Sequence, residues 1–220
     1  FSSSASDEMT GLDQYIERMP DGQEDVWYLT AENLHVAKNS PHLESFKKKG
    51  IEVLLLTDRI DAWVVSHLHD YKEHTLKSVT IGLSDDDESK PDKAAQKLAG
   101  RIKTALGERV GNVKPTGQLT DSAARVVTDE HQMSLQMQRL MKQAGQEVPE
   151  IVPNLEINAS HPLIQVLNNQ SGEFVDELSH LIFDQALLAE GGEIADPSGY
   201  VKRVNNLLVS ALTQGKVSKE

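Results

Sequence analysis

Apolar and polar positions alternate along this chain with periods that divide it into short helices and strands. Leu12, Tyr15, Ile16 and Met19 share one helical face, and Pro20-Asp21-Gly22 closes that segment as a turn, after a Ser-rich opening over 1–10 that reads as a loop. Val26-Trp27-Tyr28-Leu29 reads as a strand, and a helix follows from about Ala31. Ser40-Pro41 has the form of an N-cap with proline at the first helical position, opening a helix that stops at Gly50. Ile51 to Leu56 is an almost unbroken apolar run between helices, the pattern of a strand covered on both faces. A helix carrying Ile60, Trp63, Val64 and Leu68 comes next, and a third strand is expected over Leu76–Ile81. Strand and helix in alternation predict a small parallel sheet with right-handed crossovers.

The stretch Gly82–Lys93, GLSDDDESKPDK, breaks this rhythm. Its acids are consecutive and lack ligand spacing, so a solvated linker is preferred to a cation site. The domain boundary is placed here: residues 1–84 as an α/β unit, 85–93 as an acidic linker, and 94–220 as an α+β unit. The second unit opens with a helix through Ala94, Leu98, Ile102 and Leu106. Short strands are expected over 110–114 and 123–127, and a further one over 151–157. Asn158 or Ser160 caps a helix with Leu163, Ile164 and Leu167.

Two helical segments stand out. From Thr128 to Gln146, Met133, Met137, Leu140 and Met141 fall at i, i+4, i+7 and i+8 on one face, with Thr128 as cap and Gly145 as stop. Four such side chains contribute roughly 6–12 kcal/mol if buried. Methionine is also the residue of surfaces that accept many partners, so core and binding ridge both stay open as readings. The other segment is the last fifty residues, read as a helical hairpin. Leu178, Leu181, Ile182, Leu187 and Leu188 lie before Gly191-Gly192. After the Asp196-Pro197 start come Val201, Val204, Leu208 and Leu212. Such a hairpin packs either on its own domain or against a second copy in a four-helix bundle.

The 220 residues, with 38% hydrophobic content and a mean hydropathy of −0.42, suffice for one large domain or two modest ones. A net charge of −12 argues against nucleic acid as a partner. With no cysteine, thiol chemistry and disulfides are excluded, which suits a reducing, cytoplasmic compartment. No apolar run reaches membrane-spanning length, and no membrane partner is expected. The opening Phe1-Ser2-Ser3-Ser4 lacks an initiator methionine and reads as the start of a fragment.

Catalytic patterns do not emerge. There is no Gly-rich phosphate loop, Gly-x-Ser-x-Gly elbow or His-Glu-x-x-His pair. His67 and His69 point to different sides of a helix, and no metal site is assigned. Asp58 and Asp61 flank Arg59 near a strand end, where an α/β enzyme would put catalytic groups, although acids at a helix start explain them equally well. A small-molecule-binding or enzymatic α/β domain with a dimerising tail is therefore the rival reading, and a purely structural scaffold the third.

Several stretches together resemble one family, the heat-shock protein 90 chaperones, on its bacterial side. They are SPHLE at 40–44, KKKGIEVLLLTDRIDAW at 47–63, LGERV at 106–110, LTDSAARVV at 119–127, MSLQM at 133–137, LEINASHPLI at 155–164 and FDQALLAEGG at 183–192. Ala123 and Ala159 stand where proline is expected. The resemblance implies the end of a middle domain followed by a C-terminal dimerisation domain. It also implies that ATP and Mg belong to an N-terminal domain of the longer protein, so this fragment is not expected to be an enzyme and holds no cofactor of its own. The terminal KVSKE differs from the Met-Glu-Glu-Val-Asp ending of cytosolic eukaryotic members, so recruitment of their helper proteins is not expected. By resemblance, Met133, Met137, Leu140, Met141 and Trp63 face non-native client proteins, the hairpin forms a homodimer, and other chaperones are possible further partners.

Overall fold

The computed structural model describes residues 1–6, 8–81, 92–128, 135–148, 151–170 and 172–217. Two sheets, each with its own helices, organise these residues, with two buried apolar clusters around the first and one around the second. The 85–93 linker falls outside them except for its last two residues.

In the first unit β2 (Val26–Thr30) lies at the centre of a sheet. It runs parallel to β3 (Leu54–Leu56) on one side and β5 (His74–Ser78) on the other. Two edge strands were not expected. β1 (Ser2–Ser3) adds antiparallel to β3, inside the stretch read as a loop, and β4 (Asp70–Tyr71) pairs back on β5. The sheet is therefore mixed, in the order β1-β3-β2-β5-β4. The β4–β5 turn puts Lys72 and Glu73 at φ 47° and 67°, left-handed positions that cost a non-glycine residue about 1 kcal/mol each. Only one short 3₁₀ turn, Val79–Ile81, occupies the end of the stretch expected as strand.

Helices α1 (Leu12–Glu17), α2 (Leu34–Lys38), α3 (Leu43–Lys49) and α4 (Asp61–Val65) connect these strands. The expected Ser40-Pro41 helix start falls slightly later, because residues 41 and 42 form a turn leading into α3. Gly50 ends α3 at φ 69°, the left-handed stop that favours glycine. Trp27 and Phe46 meet edge-on, with ring centroids 5.0 Å apart, inside the cluster that includes Leu29, Leu43 and Val53.

Tyr15 ties three segments together from a buried position. Its hydroxyl donates to the Glu52 carbonyl (2.7 Å) and accepts from Gln23 Nε2 (3.0 Å) and the Trp27 amide (3.2 Å). Replacing Tyr15 with Phe leaves a buried carbonyl and amide short of partners, which costs about 1–3 kcal/mol. The expected result is a lower urea midpoint followed by tryptophan fluorescence, since both tryptophans lie in this unit.

The second unit builds a three-stranded sheet in the order β6-β8-β7, from β6 (Val113–Pro115), β7 (Ala124–Val127) and β8 (Asn154–Ile157). α5 (Lys93–Leu106) and α8 (Glu173–Ala189) pack on it, α7 (Pro162–Asn168) follows β8, and α9 (Pro197–Val217) lies against α8. His161, rather than Asn158 or Ser160, caps α7, accepting from the Leu163 amide at 3.1 Å. The cluster runs from Leu98 through Ile102, Leu155 and Ile164 to Phe183. Of the methionine helix, α6 (Leu135–Gln143) is described.

Candidate interaction surfaces

The terminal hairpin shows how an apolar sequence is shared between a core and a surface. α8 sits centrally in its unit, packed against α5, β7 and α9. Leu178, Leu181 and Ile182 are 2%, 7% and 2% exposed, inside their own domain. They are therefore not available to a partner, and the expectation that they line a dimer contact is corrected. Leu187 and Val204 are half-buried and pack on the same cluster. At the end of α8, Leu188 is 46% exposed.

α9 touches its domain along one face only. Tyr200, Val204 and Leu207 lean on the core. Arg203 fixes this face, reaching Glu177 Oε2 at 3.4 Å and the buried Asp184 at 3.5 Å. Arg109 also bonds Asp184, lies over the Phe183 ring at 4.9 Å, and contacts His180 Nδ1 at 2.8 Å. Because a guanidinium can only donate, His180 Nδ1 accepts and the ring is neutral. Burial first, then the charges of Arg109 and Arg203, push the His180 pKa down, in keeping with that tautomer. The opposite face of α9 is bare: Val201, Leu208, Val209 and Leu212 are 54–70% exposed. Positions 201, 208 and 212 repeat at i, i+7 and i+11, a continuous stripe. Val209 extends it and was not singled out from the sequence.

α6 departs from the expected open ridge. Met137 is only 8% exposed, and Leu140 and Met141 are half-buried. Met133 lies outside the described residues. Helical periodicity marks a face but not what the face meets, so the spacing of Met137 does not reveal that it is covered. Leu135 packs on the domain core, and Leu135, Gln138 and Arg139 line a cavity of about 200 Å³ with Phe183 and Leu187. Arg139 donates to the Gly191 carbonyl at 3.2 Å, fastening α6 to the turn between α8 and α9.

On the first unit, α4 carries a second apolar surface. Trp63 is 45% exposed beside Ile60 (67%) and Val64 (37%). Asp61 turns inward, and its carboxylate accepts from the Asp58 amide at 3.0 Å, closing the turn that opens the helix. That is a structural use for the Asp58–Asp61 pair. At the other end Ser66 donates to the Trp63 carbonyl at 2.8 Å, and His67 Nδ1 lies 2.9 Å from the same oxygen. His74 Nδ1 meets the Glu24 carbonyl at 2.8 Å. Among the described residues no group of three His, Asp or Glu is placed to hold a metal, and no helix is long and apolar enough to cross a membrane.

Trp63 thus stands on one unit and the α6 side chains on the other. Among the described residues, exposed apolar side chains gather on α4 and along one face of α9. The family described as Hsp90 protein matches residues 1–220. Chaperone protein HtpG of Nitrosomonas europaea is 48% identical over 220 residues, covering 96% of this chain and 34% of that protein. The HtpG proteins of Pseudoalteromonas translucida and Shewanella amazonensis are 47% and 49% identical, over 95% and 91% of this chain and 35% and 33% of their own lengths. This chain is a member of the Hsp90 family, and it spans about a third of the length of these relatives.

Proposed function

We propose that this chain is the dimerising and client-holding part of a molecular chaperone. The observation that carries the reading is the bare stripe of α9, joined by the exposed Leu188 near the C-terminal end of α8. Pairing two hairpins about a twofold axis covers both stripes at once, because an isologous contact uses the same patch twice. Leu178, Leu181 and Ile182 serve this contact indirectly, by holding α8 rigid beneath it.

Client binding falls on a second group of apolar side chains: Trp63 with Ile60 and Val64 at α4, and the accessible parts of Leu140 and Met141. A wide aromatic with adaptable neighbours grips unrelated sequences without selecting among them. Two copies in one dimer strengthen weak contacts through effective concentration. In this reading the residues described do not act on ATP or Mg, and a soluble compartment such as the cytoplasm suits the surface.

Sedimentation across a dilution series tests the dimer, and a monomer at every concentration would overturn it. For clients, the double substitution W63S/M141S is expected to weaken binding of a permanently unfolded protein about tenfold, since roughly 1.4 kcal/mol of apolar contact is lost. The mass of the dimer should stay the same. Undiminished affinity would remove these side chains from the client surface.

A further inference from the structure

Among the described residues, the buried apolar clusters fall on either side of a seam: two are built from residues up to 81 and one from residues 98 onward. The side chains that bond across that seam are polar. Glu44, in the first turn of α3, directs its carboxylate into the loop at 116–122 of the second unit. Oε2 accepts from the amides of Thr120 and Asp121, the latter at 3.0 Å. Oε1 accepts from the Ser122 amide at 3.1 Å and from the Ser122 hydroxyl. Successive amides converging on one carboxylate form an anion-binding nest, here filled by a side chain more than seventy residues away in sequence.

Both halves of this contact are braced. The Glu44 amide is held by the Pro41 carbonyl at 3.3 Å, and Gln118 in the loop bonds the buried Arg125 at 2.6 Å. Burial works against ionisation of Glu44, yet the Ser122 hydroxyl and the Asp121, Thr120 and Ser122 amides outweigh it and hold the pKa below the ordinary range. Two further polar contacts lie nearby. The buried His42 ring lies 2.7 Å from Glu190 Oε1, off the line of a hydrogen bond, and Arg139 approaches the exposed Glu32 at 3.6 Å.

We propose that Glu44 is a latch that sets the angle between the two units by seating its carboxylate in the amide nest of residues 120–122. Neither core is completed by this contact, so its release frees the joint without unfolding either side. The Gln118–Arg125 bond passes the state of the loop to β7. In a dimer joined through α9, a change at this joint swings the α4 surfaces toward or away from each other. The latch itself operates whether or not those surfaces bind clients.

The test uses the chain of residues 1–220 with spin labels at E17C and E108C, exposed positions on the two units of a protein without native cysteine. Labelled chain is diluted into an excess of unlabelled chain, so that each dimer carries one labelled protomer. The unsubstituted chain should give one narrow distance distribution by electron double resonance. E44Q keeps the shape but presents an NH₂ group to the amide donors, and should at least double the width of the distribution. E44A should do the same, and S122A should fall between. Near-UV circular dichroism should be retained throughout. An unchanged width in E44Q overturns the proposal. Broadening accompanied by loss of near-UV signal overturns it too, because Glu44 would then be a requirement of folding rather than a latch.

Discussion

Leu208→Asp is expected to convert the proposed dimer into a monomer. Leu208 is 55% exposed in the single protomer and lies mid-way along the α9 stripe. In the proposed twofold contact it is buried twice, once from each copy. Losing two buried leucine contacts costs roughly 3–6 kcal/mol, and desolvating two carboxylates adds to that. A shift of about 4 kcal/mol already corresponds to a dissociation constant raised about 1,000-fold. Light scattering coupled to size exclusion reads the change directly. Far-UV circular dichroism should be unaltered, since Tyr200, Val204 and Leu207 keep α9 on its domain through the other face. Leu188→Asp should act in the same direction. A variant that still sediments as a dimer at nanomolar concentration would refute the α9 contact.

Glu156→Ala is expected to destabilise the second unit by about 3–5 kcal/mol, because it strands a buried cation. Arg125 on β7 faces Glu156 on β8 in register. Their side chains are 1% and 6% exposed, and Arg125 Nε donates to Glu156 Oε2 at 2.7 Å. Lys114 on β6 reaches Oε1 at 3.0 Å, so all three strands meet at this carboxylate. Burial pushes the Glu156 pKa up, but Arg125 and Lys114 outweigh it and bring the pKa below the usual carboxylate value. A depressed folded pKa gives stability that is fully present above the unfolded value of about 4.3 and is lost as pH falls through the folded value. Urea unfolding followed by far-UV circular dichroism should therefore show a lower midpoint at neutral pH and a weaker dependence on acid below about pH 4.3. The double change R125M/E156L removes both charges and should cost far less than E156A alone. Equal losses in the two variants would mean that the ion pair is not the source of the effect.

The sequence made some of this legible and hid the rest for identifiable reasons. Ile51–Leu56 announced a covered strand because every position is apolar, and Gly191 with Asp196-Pro197 marked the hairpin turn. Ser2-Ser3 carries no strand signal at all, since β1 exists only because the β3 edge offers it partners. The apolar spacing of α8 does not say which of its leucines meets a second chain. Leu178, Leu181 and Ile182 share the spacing of Leu188, yet they are covered and Leu188 is 46% exposed. The burial of Met137 is hidden for the related reason that a stripe has the same spacing whether covered or bare. Trp63 came from resemblance, whereas its exposed neighbours Ile60 and Val64 emerge only in three dimensions. Glu44 and His42 could not be found from local pattern, because their partners lie far along the chain.

The separation of the apolar clusters has a consequence for how such a protein changes over generations. A repacking substitution beside Phe46 shares no buried apolar neighbour with one beside Ile164, so their effects on stability should add. Each half is free to exchange its interior residues at its own pace. Among the described contacts, one that ties their histories together is an acidic side chain with the short run of peptide groups that receives it.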